Sequence, residues 1–214
     1  MKKTKEEILC ALFRDYPALR PCKAETEAAL ELLLCCAKAG ATVLVCGNGG
    51  SAADSDHIVG ELMKGFLLRR PLAEAEKAAF AAVPGGEQIA DKLQGAIRAI
   101  SLGSQSALIS AFANDVDAAL VYAQQVYGYA EKPQDLLIGL STSGNSENVV
   151  NAVIAAKACG IGSVAITGSD GGRLAGLADV TIRLPADETY RIQEYTLPVY
   201  HALCAAAEAA LFAE

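Results

Sequence analysis

Apolar positions along the chain follow two periods that alternate, one helical and one of short continuous runs. Residues 5–14 carry Ile8, Leu9, Leu12 and Phe13 at helical spacing, and Pro17 and Pro21 end that segment. A second helix is expected over residues 23–38, with Ala28, Leu32, Cys35, Cys36 and Ala39 on its apolar stripe and Gly40 as its stop. The run Val43 to Val45 reads as a strand. It hands over through the turn Gly47-Asn48-Gly49-Gly50-Ser51 to a helix carrying His57 and Glu61. From Leu67 to about Ala99 the pattern weakens and becomes alanine-rich, with Pro84-Gly85-Gly86 as a turn. This segment reads as a solvated helical hairpin, with pocket cover as the alternative.

Residues 96–102 form a candidate second strand, and residues 105–113 and 120–129 read as helices. Leu136–Leu140 is a buried strand by its unbroken apolar run. It leads into a second small turn, Ser141-Thr142-Ser143-Gly144-Asn145-Ser146, and then a helix over residues 147–159 that stops at Gly160. Strands at 163–167 and 180–184 flank the turn Asp170-Gly171-Gly172. A long helix over 191–213 carries Ile192, Leu197, Leu203 and Leu211. Strands alternating with helices through short connections predict an α/β fold: a doubly wound, mostly parallel sheet flanked by helices. N-terminal helices and a helical insertion near 72–96 add to it. One domain over 1–214 is expected, with residues 1–40 packed on it or on a neighbouring subunit.

Composition narrows the function. With 214 residues, 52% hydrophobic and 20% charged, the chain suits a compact globular protein. A net charge of −7 argues against general nucleic-acid binding. No apolar run approaches the roughly 18–20 residues needed to span a bilayer, so no membrane partner is expected. Met1-Lys2-Lys3 begins like a signal peptide, but Lys5, Glu6 and Glu7 interrupt any apolar region. The seven cysteines are odd in number, and no Cys-x-x-Cys pair occurs. Reduced core thiols and a cytoplasmic setting are expected.

Each small turn follows a strand and precedes a helix, the carboxyl edge where open α/β sheets bind ligands. Glycines at the first turn leave backbone N–H groups open to an anion. The second offers four hydroxyls in six residues. Either turn alone could be a helix cap. Together they point to a phosphorylated small molecule. No Gly-Lys-Ser/Thr follows either turn, and the G-x-G-x-x-G fingerprint fails, so no nucleotide is expected. His57 and Glu61, spaced i, i+4, share a helix face. Their plain alternative is a surface pair, and that of His201, the other of two histidines, is a satisfied core residue.

These motifs together resemble the sugar isomerase (SIS) family and, within it, the phosphoheptose isomerases. The resemblance is carried by Cys46-Gly47-Asn48-Gly49-Gly50-Ser51, His57, Glu61, Asn114-Asp115, Ser141–Ser146 and Arg191-Ile192-Gln193-Glu194, and extends from about residue 24 onward. It implies an aldose–ketose isomerase that converts sedoheptulose 7-phosphate to D-glycero-D-manno-heptose 7-phosphate through an enediol. A homotetramer with the phosphorylated seven-carbon sugar at subunit interfaces is implied too. By that resemblance Glu61 is the candidate base and His201 its acid/base partner. Asn48, Gly49, Gly50, Ser51, Glu61, Asn114, Asp115, Ser141, Thr142, Ser143, Ser146 and Gln193 would hold substrate. His57, Glu61, Gln193 and His201 could take zinc, which the acid/base argument does not require. The chain departs from the family pattern in a longer 72–96 segment, in Ala52-Ala53, and in Tyr190 where an aspartate is common. Rival readings are an isomerase of another phosphosugar and a non-catalytic SIS regulator resembling a replication-initiation factor. The Glu61-type carboxylate argues against the regulator.

Overall fold

A computed structural model describes residues 3–212. Met1, Lys2 and the expected end of the last helix at residue 213 lie outside the described residues. Five strands, β1 (Val43–Gly47), β2 (Ala99–Ser101), β3 (Leu136–Leu140), β4 (Gly162–Thr167) and β5 (Val180–Arg183), form one sheet in the order β2-β1-β3-β4-β5. Every neighbouring pair is parallel. Alternate strand residues feed two separate cores. Val43, Val45, Ile138, Leu140, Val164 and Ile166 face one side, and Leu44, Cys46, Leu137 and Ala165 face the other. That two-residue period is why β1 and β3 are buried along their whole length.

Helices α1 (Lys5–Asp15), α2 (Lys23–Lys38), α3 (Gly50–Met63) and α9 (Thr189–Phe212) cover the first face. On the second lie α7 (Val121–Tyr129) and α8 (Glu147–Ala158). Thr4 and Glu7 form a reciprocal capping box that starts α1, and Leu9, Leu12 and Phe13 bury against the same core as α9. The apolar stripe of α2 differs from the one expected. Thr26, Ala29, Leu30, Leu33, Leu34 and Cys36 are buried, whereas Ala28, Cys35 and Ala39 are exposed. Glu27, Glu31 and Lys38 mark the solvent side of the helix, and Ala28, Cys35 and Ala39 fall beside them, so the buried stripe is the opposite face. The core reading of the cysteines is corrected similarly. Cys22, Cys36, Cys46 and Cys204 are buried, but Cys10, Cys35 and Cys159 are exposed; all seven are free thiols.

Residues 65–97 include α4 (Glu74–Ala81) and α5 (Gly86–Ala90). Nothing on α4 is buried, as a solvated hairpin requires, but Arg70, Leu72, Ala90 and Ile97 anchor the excursion to the body of the fold. The remaining helix, α6 (Ser106–Phe112), runs into a π-helical turn over Ala113–Asp117. Among the described residues no helix is long and apolar enough to cross a membrane.

The amino edge of the sheet is held by one buried carboxylate. Asp135 accepts the Thr42 N–H at 2.7 Å and those of Glu131 and Lys132 at 2.8 Å each. Burial works to raise its pKa, but the three N–H groups and the Lys132 charge outweigh it and hold the carboxyl below its ordinary value. A depressed carboxylate stabilises the fold above its unfolded pKa, and that contribution is lost as pH falls through the folded value. Asp135→Asn is therefore expected to cost about 2 kcal/mol at neutral pH. Urea unfolding of both proteins checks it, because the gap should close as pH drops below 3.8.

Candidate active site

The strand order reverses between β1 and β3, and their carboxyl ends carry the two small turns. Ligands of open α/β sheets bind at such a crevice. At the first turn Gly49, with φ +57°, begins α3 with no side-chain cap. A Cβ on Gly47 would stand 2.6 Å from the Ser51 carbonyl oxygen, so the chain can turn this tightly only as glycine. A Cβ on Gly50 would stand 2.6 Å from Gln193 Nε2, which places the Gln193 amide directly on the turn.

The second turn is tied to the first. Asn48 and Asn148 exchange amide hydrogen bonds at 2.8 and 2.9 Å, and the Tyr122 hydroxyl donates to the Gly47 carbonyl at 2.7 Å. Ser146 begins α8, yet its side chain makes no cap; the Ser141 hydroxyl donates to it at 2.9 Å instead. Neither N-cap residue places its side chain on its own helix. At α8 Asn148 Oδ1 takes the Val149 N–H at 3.0 Å, and among the described residues no side chain takes that of Glu147 or Asn148, which favours the anion reading there. Ser51 and Ser141 are buried, Thr142 and Ser146 partly so, and Ser143 is exposed. Ser143 Oγ accepts the Asn145 N–H at 3.1 Å.

The candidate acid/base residues meet beside the turns. On α3, Asp54, His57 and Glu61 fall at i, i+3 and i+7, one face of the helix. His57 Nε2 is 3.2 Å from Glu61 Oε1, and Lys64 Nζ donates to Glu61 Oε2 at 2.9 Å. Burial tends to raise the Glu61 carboxyl, but Lys64 and His57 overcome this and lower it, so it is ionised at neutral pH. From α9, the Tyr200 hydroxyl donates to Asp54 Oδ1 at 3.3 Å, which leaves its oxygen to accept the His57 Nδ1–H at 2.9 Å. In that tautomer the Nε2 lone pair faces Glu61, an arrangement that suits a shared proton or cation. Burial pushes the Tyr200 phenol and the Asp54 carboxyl up.

His201 packs edge-on against His57 and Tyr200, with ring centroids 5.0 and 4.9 Å away, and 5.4 Å from the Phe66 ring. Its Nε2 is buried without a hydrogen-bond partner among the described residues. Burial, then the neighbouring His57, lowers its pKa, so the imidazole is neutral at neutral pH. A buried orphan nitrogen costs stability unless a ligand completes it. The plain reading of His201 as a satisfied core histidine therefore does not hold. Two imidazoles, a carboxylate and an amide match zinc in donor chemistry, and the orphaned His201 Nε2 fits that use. Among the described residues, no three His, Cys, Asp or Glu side chains are yet gathered as a metal cluster.

Asn114 and Asp115 stand apart. They lie on the π-helical turn, exposed, and the Asn114 amide donates to Asp115 Oδ1 at 2.8 Å. Within one protomer no hydrogen bond among the described residues ties them to either small turn. A groove of about 680 Å³ lies elsewhere, between α1 and α2, lined by residues such as Leu9, Phe13, Ala28 and Leu30 and by none of the site residues. Asp54, Lys64, Tyr122, Asn148 and Tyr200 were not singled out from sequence. Asp54 could have been found from its spacing to His57, and Tyr200 only from its adjacency to His201.

The SIS domain family matches residues 99–212, and a second SIS domain model matches residues 20–101. A phosphoheptose isomerase of Shewanella denitrificans is 36% identical over 87% of this chain and 84% of that protein. One of Akkermansia muciniphila is 33% identical over 92% of each. Among solved structures, the phosphoheptose isomerase of Neisseria gonorrhoeae aligns with a TM-score of 0.68 at 32% identity, covering 94% of this chain and 98% of that one. The enzyme from Francisella tularensis gives 0.72 at 29% identity, covering 94% and 93%. The chain belongs to the phosphoheptose isomerase family of SIS-domain proteins.

Proposed function

We propose that this protein is an aldose–ketose isomerase that converts sedoheptulose 7-phosphate to D-glycero-D-manno-heptose 7-phosphate. The observation that carries the reading is the meeting of Glu61 and His201 around His57, beside two turns whose helix N-termini lack side-chain caps. The phosphate sits on the Ser141–Ser146 turn and the first turn of α8, where hydroxyls and N–H groups donate to it. The Asn48–Gly50 turn, Ser51 and Gln193 hold the sugar hydroxyls.

Glu61, ionised and only 12% exposed, removes a C1 proton from the ketose and leaves an enediolate. Protonation at C2 and transfer of the O1 proton to O2 complete the aldose. Neutral His201 exchanges protons with these oxygens as both donor and acceptor. Tyr200 holds His57 so that its Nε2 stands 3.2 Å from Glu61 Oε1, where the two can share a proton. Zinc, when bound by His57, Glu61, Gln193 and His201, would supply a Lewis acid toward the sugar oxygens.

The reading extends to a homo-oligomer, a tetramer, in the cytoplasm. Asn114 and Asp115 then serve a neighbouring protomer's sugar. The exposed Leu108, Val116 and Leu120, on the same stretch of chain, support a subunit contact there. Sedimentation measures that assembly. The substrate is tested by incubating purified protein with sedoheptulose 7-phosphate and with a six-carbon ketose phosphate, with and without zinc. The seven-carbon ketose is expected to yield aldose faster. Preference for the six-carbon sugar would favour an isomerase of another phosphosugar, and no turnover in any arm would favour a non-catalytic regulator.

A further inference from the structure

Arg70 and Glu208 form an ion pair with side chains 0% and 1% exposed, Nε to Oε1 at 2.8 Å. Neither belongs to the two turns or to the His57–Glu61–His201 cluster. A buried pair adds little net stability, because desolvation offsets the attraction. Its other bonds show what it holds. Arg70 Nη2 donates to the backbone carbonyl of Glu61 itself at 3.1 Å, and Nη1 donates to that of Leu62 at 2.8 Å. Both carbonyls lie in the last turn of α3, where the helix has no N–H partners for them. Glu208 accepts the backbone N–H groups of Phe66, Leu67 and Leu68 at 2.7, 2.7 and 2.9 Å. The Phe212 ring covers the guanidinium, 4.7 Å from its centroid.

Glu208 stands seven residues beyond His201 on α9, two turns along and on the same side of the helix. One charge pair therefore links the backbone of the candidate base to the helix that carries its acid/base partner. We propose that Arg70 and Glu208 are positioning residues for the isomerisation, setting the Glu61 carboxylate against His201. This rests on the isomerase reading above. Arginine suits the task because its planar fork bonds two carbonyls and a carboxylate at once, which an ammonium cannot reproduce. An error of about 1 Å in such a placement can cost on the order of a hundredfold in rate.

The full chain is assayed with sedoheptulose 7-phosphate, with kcat expressed per mole of folded protein. Arg70→Lys keeps the charge and the partner but loses the fork. A kcat lower by on the order of 10–100-fold is expected, with KM within about threefold, because ground-state contacts are untouched. The double variant Arg70→Met/Glu208→Leu replaces the pair by apolar groups, a change that buried pairs often tolerate, and is expected to fold and to be as slow. A wild-type protein without turnover would overturn the isomerase reading and this proposal with it. With active wild type, a normal kcat in either folded variant would overturn the proposal alone. Failure of both variants to fold would do the same, since the pair would then serve the fold only.

Discussion

Glu61→Gln is expected to lower turnover of sedoheptulose 7-phosphate by about 10²–10⁴-fold, the usual contribution of a positioned acid/base group. Glutamine keeps the length of the side chain and one oxygen that can accept from Lys64, but has no basic oxygen to take a carbon-bound proton. Lys64 and His57 flank Glu61 at 2.9 and 3.2 Å and lower its pKa, so the native carboxylate is in its basic form throughout the neutral range. Thermal stability should change little, because the Lys64 ammonium is largely exposed and the glutamine oxygen can still accept from it. The two small turns proposed to hold the substrate do not include Glu61, so substrate affinity should stay within a few fold. Steady-state kinetics check the division: kcat should collapse while KM holds. A variant with normal kcat would assign the base to another residue.

Gly144→Ala is expected to be the most damaging small change to the Ser141–Ser146 turn, where the phosphate is proposed to sit. Gly144 adopts φ +64°, a left-handed conformation. A Cβ there would run into the Gly171 carbonyl oxygen and crowd the Gly172 nitrogen. The conformational penalty is about 1–2 kcal/mol, and the collision with backbone adds a similar amount. Together they come to about 3 kcal/mol, a melting shift of roughly 6–12 °C for a domain of this size. The same turn depends on the neighbouring loop: the Gly168 N–H donates to the Thr142 carbonyl at 2.9 Å, and the Leu174 N–H to that of Gly144 at 3.1 Å. Alanine would push these segments apart, so the protein that remains folded should show a raised KM for the phosphosugar. Calorimetry and steady-state kinetics read the two effects separately. An unchanged melting temperature would contradict this account of the turn.

The sheet was legible because its inner strands are unbroken apolar runs bounded by glycine, serine and proline. The edge strand β2, three residues long, sits inside the weaker run expected at 96–102. The face of α2 was legible only from Glu27, Glu31 and Lys38, which mark its solvent side; its alanines and cysteines occur on both faces and point to neither. At the site, the i, i+4 spacing of His57 and Glu61 was visible, and Asp54 on the same face could have been read with it. Tyr200 and His201 lie more than 140 residues from His57, so only the fold brings them to it. Arg70 and Glu208 are beyond local reading too, because a charge separated by 138 residues from its partner looks like any surface charge. Asn114 and Asp115 entered through family resemblance. Among the described residues no hydrogen bond of one protomer connects them to the turns.

The measurement that tests the central claim most directly is conversion of sedoheptulose 7-phosphate by the wild-type protein in deuterated water, followed by NMR. Proton transfer through an enediol predicts a manno-configured aldose 7-phosphate carrying deuterium at C2, with formation slowed in Glu61→Gln by the factor given above. Aldose formed without any deuterium at C2 would contradict a solvent-exchanging carboxylate base. No aldose at all, with zinc supplied, would contradict the isomerase itself.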